Sequence, residues 1–292
     1  MANKTTMNSN FPSTVVKEIF SLVNGHSTII KLAKQMPVAF SGNDIFTFNL
    51  DGEVSIVGEG AQKPAGSAVI KPVSVKPVKV VYQHRLSDEF LRASEEKALS
   101  MLAAFKDGFA KKIASGVDIM AFHGLNPATL TASEAIGTNH LDADAVGSVT
   151  YTEGKPEEAL NDAVTLIGDY DVTGYALAKA MGTALGNYKE NGISQYPEYK
   201  LGGNPGTLGK TAADVNSTVN KGNAKVMGYV GDFAHAFRWG YADQIPMEVI
   251  QYGDPDGQGD LKRTNEVCLR AEAWIGWGIL NKDAFARIEK EA

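Results

Sequence analysis

Asp232 and His235 are spaced to pair, and a carboxylate that orients an imidazole is how a histidine becomes a general base. A base needs a nucleophile, and neither a Gly-x-Ser-x-Gly elbow nor an activated cysteine accompanies them. With Phe233, Phe237 and Trp239 alongside, the plainer reading is a histidine at the edge of a packed aromatic surface. The run Asn204 to Thr211 ends like a phosphate-cradling loop, but Asn204 stands where that pattern needs its first glycine and no apolar strand precedes it. Its glycines then serve turns. Asp254, Asp256 and Asp260 have the spacing of a calcium loop, since a hard cation wants several oxygens from one short segment. Gln258 holds the fifth position and Asn265 the twelfth, where a bidentate Glu belongs, so a solvated acidic turn is the simpler reading. His26, His84, His123 and His140 show no metal-ligand spacing. Cys268, the one cysteine, lies in an apolar run and reads as a small buried hydrophobe. The residues therefore point to no catalytic constellation, no cofactor and no metal.

The balance of charge narrows the classes further. Net charge is −6, from 28 Lys and Arg against 34 Asp and Glu, which argues against gripping nucleic acid through a broad basic face and leaves only local, nonspecific contact with a polyanion. At 292 residues and 43% hydrophobic content the chain can bury a substantial core. Residues 1–20 carry no basic start followed by an apolar region, so no signal peptide is expected, and no apolar stretch nears the roughly twenty residues that span a bilayer. A cytoplasm-like compartment is expected, in which the sequons at Asn3 and Asn216 carry no glycosylation meaning.

The elements that must hold these side chains follow from periodicity. Residues 1–12 are polar and strap-like, and a short helix is expected from Ser13 to Val23 with Val16, Ile19 and Phe20 on its stripe. An extended stretch runs from Ser27 to Phe40. Asp44 to Leu50 alternates as a strand, turns at Asp51-Gly52, and answers a return run from Val69 to Leu86 that Pro72 and Pro77 confine to an edge or a ribbon. Between them lies the tip Gly58 to Pro64, so about forty residues make a long hairpin with no core of its own. A lone ribbon is marginal in water and needs a partner surface, most simply another copy of the chain. Glu53, Glu59 and Lys63 near the tip are candidate intersubunit contacts.

Beyond Ser87 the period becomes helical, with Ala98, Leu102, Phe105, Phe109, Ile113 and Val117 on one face. A helix from about Ser94 to Phe122, closed by Gly124 and Pro127, would be roughly 43 Å long. An α/β segment follows: a helix opened by Pro156 with Leu160, Ala163, Val164 and Ile167 inward, a second helix from about Tyr175 to Tyr188, a loop at 202–209, and a strand from Lys225 to Val230. Two β runs, Gln244 to Tyr252 and Asn265 to Leu280, close the chain around the acidic turn.

Several segments occur in a telling order. They are Val57-Gly58-Glu59-Gly60-Ala61 ahead of Lys63-Pro64, then Pro77-Val78-Lys79 leading to Leu86-Ser87-Asp88-Glu89-Phe90-Leu91, then Gly116-Val117-Asp118 near Gly124. Gly228-Tyr229-Val230-Gly231-Asp232-Phe233 follows, and Asn265 to Arg270 precedes Asp283-Ala284-Phe285. In these segments, over nearly its whole length, the chain resembles the major capsid proteins of tailed bacteriophages with the Hong Kong 97-type fold. The resemblance implies an α+β fold with residues 1–40 as an N-arm, 41–83 as an extended loop over a neighbouring subunit, 84–126 and 244–280 as a peripheral domain with a long spine helix, and 127–243 and 281–292 as an axial domain.

It also implies a non-enzymatic subunit that self-assembles into hexamers and pentamers of an icosahedral head, a virion component assembled in the host cytoplasm. Its implied partners are itself, a portal protein, a separate scaffolding protein or none, packaged double-stranded DNA held nonspecifically on the inner face, and room for a decoration protein, with no membrane. Asp254, Asp256 and Asp260 would lie in a peripheral turn near threefold contacts. Some relatives crosslink a hairpin lysine to an asparagine; Lys63 is the matching lysine, but residues 253–262 contain no Asn, so a noncovalent shell is expected. Two other readings compete: an encapsulin-like nanocompartment shell, and a soluble α+β hydrolase built on Asp232 and His235.

Overall fold

The computed structural model describes residues 26–51, 54–63, 65, 67–89, 95–143, 146–242 and 247–291. The expected helix at Ser13 to Val23 lies outside them. In chain order come α1 (Thr28–Leu32), β1 (Lys34–Gln35), β2 (Asn43–Asp51), β3 (Ser67–Val75), β4 (Val78–Ser87), α2 (Glu95–His123), β5 (Gly147–Tyr151), α3 (Pro156–Ile167), β6 (Gly174–Leu177) and α4 (Lys179–Asn187). They are followed by β7 (Lys189–Glu190), β8 (Ile193–Ser194), β9 (Thr207–Leu208), β10 (Thr211–Val215), β11 (Val226–Gly231), β12 (Phe237–Tyr241), β13 (Met247–Ile250), β14 (Glu266–Ile279) and β15 (Phe285–Lys290).

β14, at 14 residues, organises one of two main sheets. Along one edge β4 runs antiparallel to it from Glu266 to Ile275, and β12 and β13 pair with its two ends. Its alternate residues Ala271, Ala273, Ile275 and Trp277 join a core with Phe109, Ile113, Val117 and Met120 of α2. That burial is the reason α2 forms: its stripe repeats at helical spacing, and 29 residues give about 43 Å of rigid rod. Gly124, at φ +68, ends it. The second sheet has the order β5-β15-β11-β6-β10-β9, with α3 and α4 packed on it around Leu160, Ala163, Met181, Leu185, Val230 and Ile288. β2 and β3 form a separate two-stranded ribbon from Asn43↔Val75 to Asp51↔Ser67; the return run expected to stay in the hairpin as far as Leu86 leaves it at Val75, and past Pro77 its second half, Val78–Ser87, pairs with β14 in the first sheet instead.

Three local expectations give way to tertiary context. Ser27 to Leu32 is not extended: Thr28–Leu32 is a helical turn, because Ser27 accepts from the Ile30 amide and a carboxylate from α2 accepts from the Thr28 and Ile29 amides. Tyr175 to Leu177 is strand rather than helix, since the short apolar run is inserted between β10 and β11. Val164 is exposed, because the buried stripe of α3 runs through Ala159, Leu160, Ala163 and Ile167 and leaves it at the rim.

Candidate assembly surfaces

The ribbon leaves large apolar side chains exposed. Phe46 is 68% exposed, Ile70 is exposed, and at the tip Val54 is 97% exposed and Ile56 fully so. Gly60, at φ +77, and a hydrogen bond from the Ala61 amide to the Gly58 carbonyl (3.1 Å) close the tip. Glu59 and Lys63 are exposed there, while Glu53 lies outside the described residues. Apolar side chains held in water on a two-stranded ribbon are the signature of a surface awaiting a partner.

The acidic turn is handled differently. Arg85, on β4, reaches across to it: its Nε donates to Asp256 (2.8 and 2.9 Å), its Nη1 to Glu266 (3.1 Å), and its Nη2 to Asp254 (3.2 Å), to the Gly259 carbonyl (2.8 Å) and to Asp256. The Asp256 hydrogen bond raises the guanidinium pKa and holds the Asp256 carboxyl below the usual carboxylate range. Glu266 is lowered too, by the Thr264 hydroxyl first and Arg85 second. Asp260 caps the following turn by accepting from the Lys262 amide (2.9 Å), and Leu261 beside it is fully buried. Of the three aspartates singled out by spacing, two converge on one arginine and the third is a cap. Among the described residues no group of three His, Cys, Asp or Glu is placed to hold a metal.

The third feature had no role assigned to it in sequence, where Asp118 figured only in the segment Gly116-Val117-Asp118. Asp118, wholly buried on α2, accepts from the Ser27 hydroxyl (2.6 Å), the Thr28 amide (3.0 Å), the Ile29 amide (3.1 Å) and the Thr218 hydroxyl. Burial pushes its carboxyl up to about 6, against the pull of those donors. Next to it Asp214 accepts from Thr28 (2.6 Å), Lys31 (2.7 Å) and Asn204 (3.0 Å). Residues 27–31 are thereby tied to both the long helix and the second sheet. The one available signal was an acid inside the apolar run Val117 to Phe122, since a buried charge requires partners. A comparable network joins the end of α2 to β11: Asp142 accepts from Tyr229 (2.5 Å), bonds His123 Nδ1 (2.6 Å) and accepts from Asn223 (3.2 Å).

The residues that invited an enzymatic reading have structural occupations. Asp232 accepts from the Thr173 hydroxyl (2.9 Å) and the His235 amide (3.1 Å) and meets His235 Nδ1 at 3.0 Å. The His235 side chain is 60% exposed. The cleft it borders, about 550 Å³ at the root of the ribbon, has no serine or cysteine among its described lining residues. Asn204 stitches a hairpin turn, accepting from the Val215 amide (3.1 Å), so the phosphate-loop look-alike joins strands rather than opening a helix. Cys268 is buried against β4.

Comparison with known proteins adds an independent finding. The model of the phage capsid family matches residues 11–290. A solved structure from Mycobacterium phage Ogopogo is 31% identical, covering 91% of this chain and 92% of that one, with a TM-score of 0.79. One from Gordonia phage Cozz is 24% identical over 91% of this chain and 87% of that one, at TM-score 0.76. A structure described as the capsid of an empty GTA particle shares the fold at 14% identity, with coverages of 91% and 90% and a TM-score of 0.63. No curated protein matches the chain.

Proposed function

Because the chain belongs to the phage capsid family and is a major capsid protein of an icosahedral shell, we propose a division of labour within each copy. The ribbon is the arm that reaches a neighbouring subunit, and the observation that carries this is the exposure of the apolar side chains Val54 and Ile56 in the tip beyond the β2–β3 ladder. α2 with β13 and β14 serves as the peripheral domain, and the second sheet with α3 and α4 as the axial domain, with β15 returning the chain to it. Glu59 and Lys63 contact the neighbour from the tip. Arg85 stiffens the turn at 253–263, so that Asp254, Asp256 and Asp260 are presented in a fixed shape at a peripheral contact.

Heterologous contacts of this kind, repeated around closed five- and sixfold rings, build a shell. The reading extends to a virion that encloses double-stranded DNA, assembled in the host cytoplasm around a portal, without enzymatic activity. A net charge of −6 suits a container that should not adhere tightly to a polyanion. The shell is held noncovalently, because residues 253–262 offer Lys63 no asparagine.

Negative-stain electron microscopy of the purified, nuclease-treated protein, run with its sedimentation profile, tests the reading. Closed polyhedra or five- and sixfold rings are expected, and a uniform monomer or small dimer at every concentration and salt would overturn it. Denaturing gels of the particles should show one monomer band; a covalent ladder would refute the noncovalent shell.

A further inference from the structure

We propose that Gly240, Gly276 and Gly278 set the direction in which the β2–β3 ribbon leaves the body, and are therefore positioning residues for assembly. The inference rests on the ribbon's role as an intersubunit arm. Gly240 lies directly opposite Gly276 in the β12–β14 ladder, and Gly278 is two residues further along β14, so all three bare the same face of the sheet. Trp239 and Trp277, also opposite each other, belong to the core on the other face. Glycine inside a strand weakens it, and none of these three has a positive φ, so their contribution is room rather than conformation.

That room is filled by both stems of the ribbon. A methyl group at Gly240 would sit 1.9 Å from the Met36 carbonyl oxygen, and one at Gly278 would sit 2.5 Å from Val75 Cγ2. At Gly276 it would meet Val38 Cγ1 at 3.0 Å and Val75 Cγ1 at 3.3 Å. The incoming stem, Met36 to Val38, and the outgoing one, ending at Val75, thus cross a glycine trough in direct contact with the sheet backbone. Val75 is fully buried although the ribbon above it is exposed.

Neighbouring contacts set the course of the root. Phe40 packs on Trp274 with ring centroids 4.6 Å apart, and Asn43 donates to the Pro37 carbonyl (2.7 Å) while accepting from the Ala39 amide (2.9 Å). Gly42, at φ +90, turns the chain into β2. Valine is stiff about χ1, so a methyl in the trough is relieved by lifting a stem rather than by turning a side chain. β2 has 9 residues. Tilting such a strand by about 10° at its root moves its far end, roughly 30 Å away, by about 5 Å. A subunit can absorb that tilt, whereas a ring of copies that must each meet a neighbour cannot.

The test is Gly278→Ala alone and combined with Val75→Ala, which removes the γ-carbon, Val75 Cγ2, that the new methyl would strike. Thermal melting of the unassembled subunit is read beside shell yield and diameter. The single variant is expected to melt as a folded subunit and to show a several-fold loss of shells of wild-type diameter, and the double variant to recover them. Wild-type yield and diameter in the single variant, or no recovery in the double, would overturn the inference. Should Gly278→Ala not fold alone, Gly276→Ala with and without Val38→Ala gives the same reading. A wild type that builds no shells would instead refute the capsid role itself.

Discussion

Residues 27–31 and the ribbon tip at 54–63 lie close in sequence and meet water in opposite ways. In the first, Ser27, Thr28, Ile29 and Lys31 all bond to Asp118 or Asp214 of the same subunit. In the second, Val54 and Ile56 are laid bare beyond the last pair of the β2–β3 ladder, Asp51↔Ser67. The contrast separates contacts that hold the subunit together from contacts that belong to the shell. Between the two runs the glycine trough, where the chain is pressed onto the sheet before being released as an arm.

Removing Asp51 to Lys71 should break the contrast most completely. Shells are expected to vanish, while the unfolding free energy of the rest of the subunit stays within about 1 kcal/mol of the full chain's. Normal particles from this variant would end the argument for the arm.

Asp118→Ala attacks the other side. It strips the acceptor from four donors, and should cost about 3 kcal/mol in urea unfolding of the unassembled subunit. A loss under about 0.5 kcal/mol would put residues 27–31 among the loosely held segments instead.

The same residue gives a pH signature. Its carboxyl titrates at about 6 in the folded chain against 3.8 ordinarily, so the folded state holds the proton more tightly. Its contribution to stability is therefore greatest below about pH 4, declines as pH rises to about 6 and is flat above, by roughly 3 kcal/mol in all. Asp118→Asn should remove that slope when the two unfolding curves are subtracted. Asp256 and Glu266 act in the opposite sense: their lowered pKa values stabilise above the ordinary carboxylate range, and the gain is lost as pH falls.

Smaller effects sharpen the picture. Arg85→Ala should lower the subunit melting temperature at neutral pH and less in acid, where Asp256 and Glu266 no longer repel one another, with shell yield reduced rather than abolished. Smallest for the isolated subunit is Val54→Ser with Ile56→Ser: unfolding should change by no more than about 0.5 kcal/mol, while assembly slows in light scattering.

Much of this was legible in sequence, and the limits are physical. The long helix, expected from about Ser94 to Phe122, runs Glu95–His123, because a repeated apolar stripe and a glycine stop act locally. The hairpin was legible from alternation and prolines as far as Val75, but not that Val78–Ser87 leaves it to pair with β14, and the closing strands were legible from the turn chemistry around Gly253 to Asp260. The turn at Thr28–Leu32 was not, since β-branched residues there read as extended and the deciding acceptor is some ninety residues away. Nor was the strand at Gly174–Leu177, where a short buried run carries no period of its own. The aspartates of the acidic turn were found by spacing, but spacing alone is silent about Arg85, which comes to them across a strand pairing.

The central claim, that the arm is completed by another copy, is tested most directly by amide hydrogen exchange at residues 54–63 in isolated subunits and in assembled shells. The account predicts near-unprotected exchange in the subunit and strong protection in the shell, with residues 27–31 protected in both. Equal, rapid exchange at 54–63 in the two states would contradict it.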